Sequence, residues 1–311
     1  MKSKKRLPIF EIFKKYAIDL YSVIILVVVV AALVFFANPN DIFSRSDAAA
    51  IPAPAPLDEN SVRIPILMYH HFADDGNVST TISGELFGQQ LRALRDAGYN
   101  AISFQQLRDF VFDGGDLPEQ PFIITIDDGY LSVYEIAFPL LKYYEMKATT
   151  FIIGVTHGMD TYKDTGFPII PRFDDAQAVT MVESGYKFIE SHSYDMHQHE
   201  PFETGPFRRG VLRRDDESEE EYIEAFRADF KKAAAQIEAM LGARPFVYSY
   251  PFGISNDLTD GLLQEMGVEV TLKITQGTNI VTRGDADSLM SMHRFNVPGD
   301  MAPDELLEMI R

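Results

Sequence analysis

Seven short apolar runs alternate with segments of helical periodicity over most of this 311-residue chain. Strands in such an alternation pair in parallel, and the intervening helices pack outside the sheet. The sequence predicts strands over residues 64–69, 122–126, 148–153, 187–190, 246–250, 269–274 and 292–297. It therefore predicts an α/β fold over residues 62–311, a length typical of one barrel domain.

Two of the predicted helices have recognisable capping residues at their ends. Ser83 precedes apolar residues at helical spacing, and Ser218 with Glu221 forms a capping box before a longer helix that stops at Gly242. Residues 198–216 show neither helical nor strand periodicity. They are predicted to form a long surface loop, a kind of segment that is commonly functional or mobile.

The N-terminal segment differs from the rest of the chain. Residues 1–19 contain six basic and two acidic residues, and residues 20–37 are an uncharged run that as a helix reaches roughly 27 Å, close to a bilayer core. Because basic flanks stay in the cytoplasm, we expect a cytoplasmic segment, a single-pass anchor in the cell membrane and an extracytoplasmic C-terminal domain. Cleavage near the Ala run at 48–50 is the alternative. The Ala- and Pro-rich residues 38–61 are predicted to be an extended linker.

Charge and cysteine content exclude several kinds of site. The chain has 28 Lys and Arg against 46 Asp and Glu, a net charge of −18, which argues against a nucleic-acid partner. It contains no Cys. Disulfides, thiolate metal sites and Cys nucleophiles are therefore excluded, and any metal must be bound by His, Asp or Glu.

The first polar cluster lies where the second predicted strand ends. That strand continues directly into Asp127, Asp128 and Gly129. Neighbouring side chains on a strand point to opposite faces, so two carboxylates share a pocket only where the chain leaves the sheet, a turn that Gly129 permits. An ordinary solvated turn is the alternative.

A histidine cluster follows the predicted strand that ends at residue 190. It contains His192, His197 and His199, three of the seven histidines in the chain. On an α-helix, a spacing of five would leave His192 and His197 about 140° apart, whereas a strand end followed by a loop could bring them together. Two imidazoles and one carboxylate would leave positions on a metal open for water and substrate. The alternative is a surface cluster of histidines.

Two more strand ends carry candidate residues. The first predicted strand is followed directly by His70, and the strand over 246–250 is followed by a Pro-Phe-Gly turn in which the N–H of Phe252 could face a developing oxyanion. A buried core histidine and an ordinary turn are the respective alternatives. Parallel barrels collect catalytic residues at the carboxyl ends of their strands, and all four clusters lie there.

Over about residues 64–297, the chain resembles the polysaccharide deacetylases (carbohydrate esterase family 4, the NodB homology domain) in the ordered motifs LMYHH, TIDDGY, SHSYDMH, YPFG and HRFNV. The resemblance implies a distorted barrel of the (β/α)7 type that hydrolyses N-acetyl groups of N-acetylglucosamine-containing polysaccharide. It also implies a divalent metal cofactor, zinc in first place with cobalt or nickel as alternatives. By motif, the metal ligands would be Asp128, His192 and His197, and Asp127 would be the general base.

The chain departs from the commoner motifs of that family in three places. The second ligand His follows the first by five residues rather than four, as in the branch that resembles poly-N-acetylglucosamine deacetylases. The Arg of the usual Arg-x-Pro motif, which orients the base, is absent, and Arg294 on the last predicted strand is the candidate replacement. The late Leu-x-x-His motif is not cleanly present. By resemblance to that branch, His70 is the preferred general acid, and His293, at the start of the last predicted strand, is the second choice.

Other functions and substrates would use the same residues differently. A non-catalytic carbohydrate-binding relative would not need the metal-site residues together, and a glycosidase would need two carboxylates about 5 to 10 Å apart. A tethered outward-facing domain would meet peptidoglycan or another envelope glycan first, with secreted exopolysaccharide as the alternative. Four arginines of the long loop could bind an anionic polymer or pair with the acidic residues that follow them. They are Arg208, Arg209, Arg213 and Arg214.

Overall fold

The computed structural model describes residues 57–75, 79–199, 202–203 and 206–311. The expected cytoplasmic segment, the membrane anchor and most of the linker therefore lie outside the described residues. Within the described ranges, no helix is both long and apolar enough to cross a membrane. The unit that contains the predicted barrel domain runs from Leu57 to Arg311.

The described residues form twelve strands. These are β1 (Ser61–Ile64), β2 (Ile66–Tyr69), β3 (His71–Phe72), β4 (Thr81–Ile82), β5 (Asn100–Ala101), β6 (Pro121–Asp128), β7 (Ala148–Ile152), β8 (Lys187–Ser191), β9 (Val247–Ser249), β10 (Val270–Leu272), β11 (Asn279–Thr282) and β12 (Phe295–Asn296). The main sheet is parallel, in the order β10-β9-β8-β7-β6-β2-β12, and β5 also pairs with β6. Each strand of this seven-strand path coincides with one of the seven predicted runs, which confirms the predicted α/β fold.

The sheet curls until both of its edges meet one segment of chain. β12 pairs with β2, and three residues before β12, Met292 forms a bridge to Leu272 of β10. The N–H of Met292 donates to the carbonyl of Thr271 (2.8 Å), and the N–H of Lys273 donates to the carbonyl of Met292 (2.9 Å). The sheet is thus strongly curled and joined at this seam by few hydrogen bonds, rather than being a regular closed barrel.

Seven α-helices are described. They are α1 (Gly84–Asp96), α2 (Phe104–Phe112), α3 (Phe138–Tyr144), α4 (Asp175–Glu183), α5 (Glu219–Leu241), α6 (Asp257–Glu265) and α7 (Pro303–Met309), with shorter helical turns at Val133–Ala137, Gly154–Thr156, Pro251–Gly253 and Ala286–Leu289. Both predicted start signals are confirmed, because Ser83 caps α1 and Ser218 forms the capping box with Glu221 at the start of α5. The left-handed conformation of Gly242 (φ +74°) ends α5 as expected.

The two faces of the sheet enter different apolar clusters. On β6, Ile124 and Ile126 pack with outer-helix residues such as Leu91, whereas Ile123 packs among residues of the inner face. Because side chains alternate along a strand, Asp127 shares the inner face with Ile123. The fold therefore directs the first carboxylate of the Asp-Asp pair into the barrel at the carboxyl end of β6.

One strand boundary and two strand pairs differ from the prediction. The run over residues 64–69 is not one strand, because Pro65 lacks an N–H for the ladder and separates β1 from β2. β1 instead pairs antiparallel with β11, and β3 pairs with β4. The sequence predicted neither pair.

The long loop between β8 and α5 contains no helix or strand in its described part, as predicted. Its arginines are largely used internally. Arg208 is buried and forms a two-pronged ion pair with Glu217 (2.6 and 2.9 Å), and Arg214 pairs with Asp216 (2.9 Å). Arg213 donates to the backbone carbonyl of Glu217. Pairing with the following acidic residues therefore accounts for Arg208 and Arg214.

Candidate active site

Asp128, His192 and His197 come together at the carboxyl end of the sheet. Asp128 is the last residue of β6, His192 follows β8 directly, and His197 lies on the loop beyond it. Asp128 Oδ1 lies 3.6 Å from His192 Nε2 and 3.7 Å from His197 Nε2. The structure thus assembles the three residues that the sequence motifs indicated as metal ligands.

These distances fit a shared metal ion better than direct hydrogen bonds. Hydrogen bonds between N and O are about 2.7 to 3.2 Å long, whereas ligands about 2.1 Å from a tetrahedral ion lie about 3.4 Å from one another. Asp128 Oδ1 is buried and has no hydrogen-bond partner among the described residues. Two imidazoles and a carboxylate are also a donor set of catalytic zinc sites, so these residues fit a divalent ion.

The protonation states suit ligation as well. His192 Nδ1 lies 2.7 Å from the backbone carbonyl of Ser249, which can only accept, so Nδ1 carries the hydrogen and Nε2 is left free for a metal. Burial lowers the pKa of His197 to about 3, which keeps this imidazole neutral at pH 7. Burial would raise the pKa of Asp128, but the facing His197 and the Arg172 guanidinium outweigh it and hold that pKa below its usual range.

Asp127 lies beside this trio and is bound by Arg294. Both carboxylate oxygens accept from the guanidinium, at 2.7 Å for Nη1–Oδ1 and 2.8 Å for Nη2–Oδ2, and both side chains are buried. Burial would raise the pKa of Asp127, but the charge of Arg294 outweighs it and lowers that pKa. Asp127 Oδ2 is also 3.9 Å from His192 Nε2. The arginine expected to replace the missing motif residue therefore contacts the expected base.

The turn that lets two successive carboxylates share one pocket begins at Asp128 itself. Asp128 has φ +74° and Gly129 has φ +71°, so both are left-handed. For a residue with a Cβ, such a conformation costs on the order of 1 to 3 kcal/mol and is concentrated at functional sites. The sequence indicated only the glycine of this turn, because Asp128 itself carries no local sign of a positive φ.

The two candidate general acids lie in different places. His70 directly follows β2, whose Tyr69 pairs with Ile126 of β6, so His70 and Asp127 are the next residues of two neighbouring parallel strands. His293 donates from its backbone N–H to Asn279 Oδ1 (2.8 Å) and from Nδ1 to the Thr275 carbonyl (3.1 Å). Its neighbour Arg294 faces Asp127, so alternation along the chain turns His293 away. The structure brings His70 to the cluster and does not bring His293 there.

Phe252 reaches the site from the turn after β9. It adopts a left-handed conformation (φ +57°), and its ring packs against His197 with the ring centroids 4.2 Å apart. The same ring meets the edge of His199 at 5.1 Å. The predicted residue is therefore at the site, and the contacts described for it are made by its side chain.

A cleft of about 340 Å³ opens beside the cluster and contains a residue that the sequence analysis missed. Arg172 lies over the ring of Tyr130, 3.7 Å from its centroid, and lines this cleft together with Asp128 and His197. Within the described residues, its buried Nε and Nη1 have no hydrogen-bond partner. No local motif marks Arg172, because only the bridge between Tyr130 and Arg172 brings its loop to the site.

Comparisons with known proteins agree with this geometry. A protein-family model described as polysaccharide deacetylase matches residues 114–271, which include Asp127, Asp128, His192, His197 and Phe252. YxkH of Bacillus subtilis, which carries the name of a polysaccharide deacetylase, is 27% identical over 244 residues, covering 78% of this chain and 75% of the relative.

Two further similar proteins are a relative that is named for its reaction and a protein of solved structure. The poly-beta-1,6-N-acetyl-D-glucosamine N-deacetylase of Escherichia coli K12 is 26% identical over 235 residues, covering 71% of this chain and only 34% of that longer protein. A solved de-N-acetylase from Aggregatibacter actinomycetemcomitans has the same fold, with a TM-score of 0.66 and 24% identity, covering 80% of this chain and all of the other. With the family match over half of its length and the assembled site, the chain belongs to the polysaccharide deacetylase family.

Proposed function

We propose that this protein is a metal-dependent hydrolase that removes N-acetyl groups from a polymer of N-acetylglucosamine. The observation that carries the proposal is the trio of Asp128, His192 and His197, of which the first two are buried, beside an Asp127 that is bound by Arg294. A glycosidase does not need this arrangement, because it works with two separated carboxylates. Zinc is the proposed ion, with cobalt and nickel as alternatives.

The named relative bears on the choice of polymer. The sequence alone placed peptidoglycan or another envelope glycan first and secreted exopolysaccharide second. The Escherichia coli relative is named for poly-β-1,6-N-acetylglucosamine. We therefore place that polymer first for this protein and peptidoglycan second.

The chain's own residues account for the proton transfers in this proposal. A bound divalent ion would polarise the acetyl carbonyl and make a nearby water acidic. Asp127 accepts the proton of the attacking water, because Arg294 keeps its carboxylate ionised and fixed in orientation. His70, at the end of β2, donates a proton to the leaving amine, and the N–H of Phe252 contributes to the oxyanion site.

We also propose a location for this chemistry. Residues 20–37 anchor the protein in the cell membrane, the residues between this anchor and the folded unit that begins at Leu57 form the linker, and the catalytic domain faces away from the cytoplasm. The support for this part is the uncharged run and its basic flank in the sequence.

The test is acetate release by the full-length protein from poly-β-1,6-N-acetylglucosamine and, in parallel, from peptidoglycan. The protein is assayed after chelation and after addition of Zn²⁺, Co²⁺ or Ni²⁺, beside Asp128→Asn and the control Asp164→Asn, which changes an exposed aspartate. We expect release that needs metal, is lost in Asp128→Asn and is unchanged in the control. Glycan binding without acetate release under any metal would instead identify a binding protein.

A further inference from the structure

The two histidines of the proposed metal site are held in different ways. His192 is fixed by its own hydrogen bond to the carbonyl of Ser249. The Nδ1 atom of His197 is buried and has no hydrogen-bond partner in the part of the chain that the structure describes. Metal-binding histidines usually donate this second N–H to an acceptor that sets the ring orientation. The position of His197 therefore depends on the packing of its ring and on the backbone of its loop.

That backbone is held by a carboxylate on α5. Asp229 accepts the N–H of Tyr194 at Oδ2 (2.8 Å) and the N–H of Asp195 at Oδ1 (2.7 Å). These two amides lie midway between His192 and His197 in the loop. Hydrogen bonds from backbone N–H groups to a carboxylate are charge-assisted and are stronger than neutral ones.

Two more residues of the same helix face reinforce this contact. Lys232 Nζ lies 3.9 Å from the centre of the Tyr194 ring, and Gln236 Nε2 donates to the carbonyl of Gly154 (3.2 Å). Asp229, Lys232 and Gln236 are spaced by three and four residues, which places them on one side of a helix. The N–H of Gly154 in turn donates to the Ser193 carbonyl (3.0 Å). The loop is therefore enclosed between α5 and the turn that follows β7.

The packing at this turn is close, and the loop is strained. A Cβ on Gly154 would lie 2.6 Å from side-chain atoms of both Tyr194 and Gln236, so a residue larger than glycine would force these side chains to shift. Ser193 has φ +72°, a conformation that persists in a non-glycine residue only where surrounding contacts enforce it. The contacts from α5 and from the turn supply that constraint.

We propose that Asp229 is a positioning residue for metal binding: it fixes the backbone between the two histidines and thereby aims His197 at Asp128. This inference rests on the proposed metal site. It gives the polar stripe of α5 a role distinct from that of its apolar face, which packs Tyr222 and Phe226 into the core. Asp229 touches neither the metal nor the substrate, so its effect is exerted through the loop.

The test measures Zn²⁺ affinity of the full-length protein by competition with a chromogenic chelator, without substrate. Asp229→Ala and Asp229→Asn are compared with wild type and with Glu224→Ala, which removes an exposed carboxylate elsewhere on α5. We expect Asp229→Ala to weaken Zn²⁺ binding about 10- to 100-fold, a range typical for residues that orient metal ligands. Asp229→Asn keeps one acceptor and should lie between, while Glu224→Ala should match wild type.

Two further measurements separate positioning from a general loss of structure. Circular dichroism and thermal unfolding without metal report on folding, and the Co²⁺ absorption spectrum reports on ligand geometry. We expect folded Asp229 variants with an altered Co²⁺ spectrum and with deacetylation restored by excess Zn²⁺. If the folded Asp229→Asn and Asp229→Ala proteins bind Zn²⁺ as tightly as wild type, the inference is wrong. If wild type binds no Zn²⁺, Co²⁺ or Ni²⁺, the proposed metal site itself fails.

Discussion

The buried pair of Asp127 and Arg294 can be tested by a double-mutant cycle. The perturbations are Asp127→Asn, Arg294→Met and both together. The side chain of Arg294 is fully buried and that of Asp127 is 3% exposed, so each single change leaves a partner without its counter-charge or its hydrogen bonds. Breaking a buried pair from one side costs about 3 to 5 kcal/mol. The double variant leaves no isolated charge, so we expect it to be at least about 2 kcal/mol more stable than the sum of the single losses implies.

The assay is urea unfolding of the metal-free proteins, followed by circular dichroism at pH 7. The matched control is the cycle on Arg92 and Asp96, an exposed pair with 70% and 54% of each side chain accessible, where we expect coupling of about 0.3 to 0.5 kcal/mol. Coupling between Asp127 and Arg294 that is as small as in this control would refute the reasoning.

The same pair predicts a pH effect with a definite sign. Arg294 holds the pKa of Asp127 below its ordinary value of 3.8. The stabilisation from this shift is present above the unfolded-state pKa and is lost as the pH falls through the folded-state pKa. In Arg294→Met, burial is no longer opposed by this charge and the pKa of Asp127 rises. We therefore expect the acid limb of kcat/KM to move to higher pH in that variant.

Three further predictions concern the proposed general acid, the sheet interior and α5. His70→Ala should lower kcat by about 100- to 10,000-fold while His293→Ala keeps most turnover, and the reverse order in acetate-release assays would exchange their roles. Burial raises the pKa of Glu190 to about 8, so the folded protein keeps a proton that the unfolded chain releases above about pH 4.5, and stability falls between these pH values. Glu190→Gln should remove this fall, which is at most about 5 kcal/mol; parallel urea curves for both proteins from pH 5 to 8 would contradict it. Ser218→Ala should lower the free energy of unfolding by about 0.5 to 2 kcal/mol through loss of the capping box with Glu221, and an unchanged urea midpoint would show that the cap contributes nothing.

The features that the sequence predicted well are those with a local physical cause. Apolar runs of strand length located the seven strands of the curled sheet, and capping residues located the start of α5. The site aspartates and histidines were found because they stand at strand ends. Arg294 was identified because the usual motif arginine is absent and the last predicted strand contains a basic residue that could replace it.

The features that were missed depend on distant parts of the chain. β1 pairs with β11, and no pattern near either strand marks that partner. Arg172 reaches the site through a loop that bridges to Tyr130. Asp229 contacts the loop between His192 and His197 from a helix of which the sequence periodicity shows only the apolar face. Such contacts are fixed by tertiary packing, so a single sequence does not indicate them.

The seam of the sheet, formed by the segment from Met292 to β12, affects the order in which the domain folds. Arg294 lies on the seam segment and binds a carboxylate 167 positions earlier in the chain. Chains emerge from the ribosome N-terminal end first, and contacts between distant positions form slowly. During synthesis, Asp127 is therefore without its counter-charge until the segment that carries Arg294 has been made. Completion of the fold and the pairing of the proposed base with Arg294 would then be a single late event, and we expect a domain that lacks its last strand to be inactive.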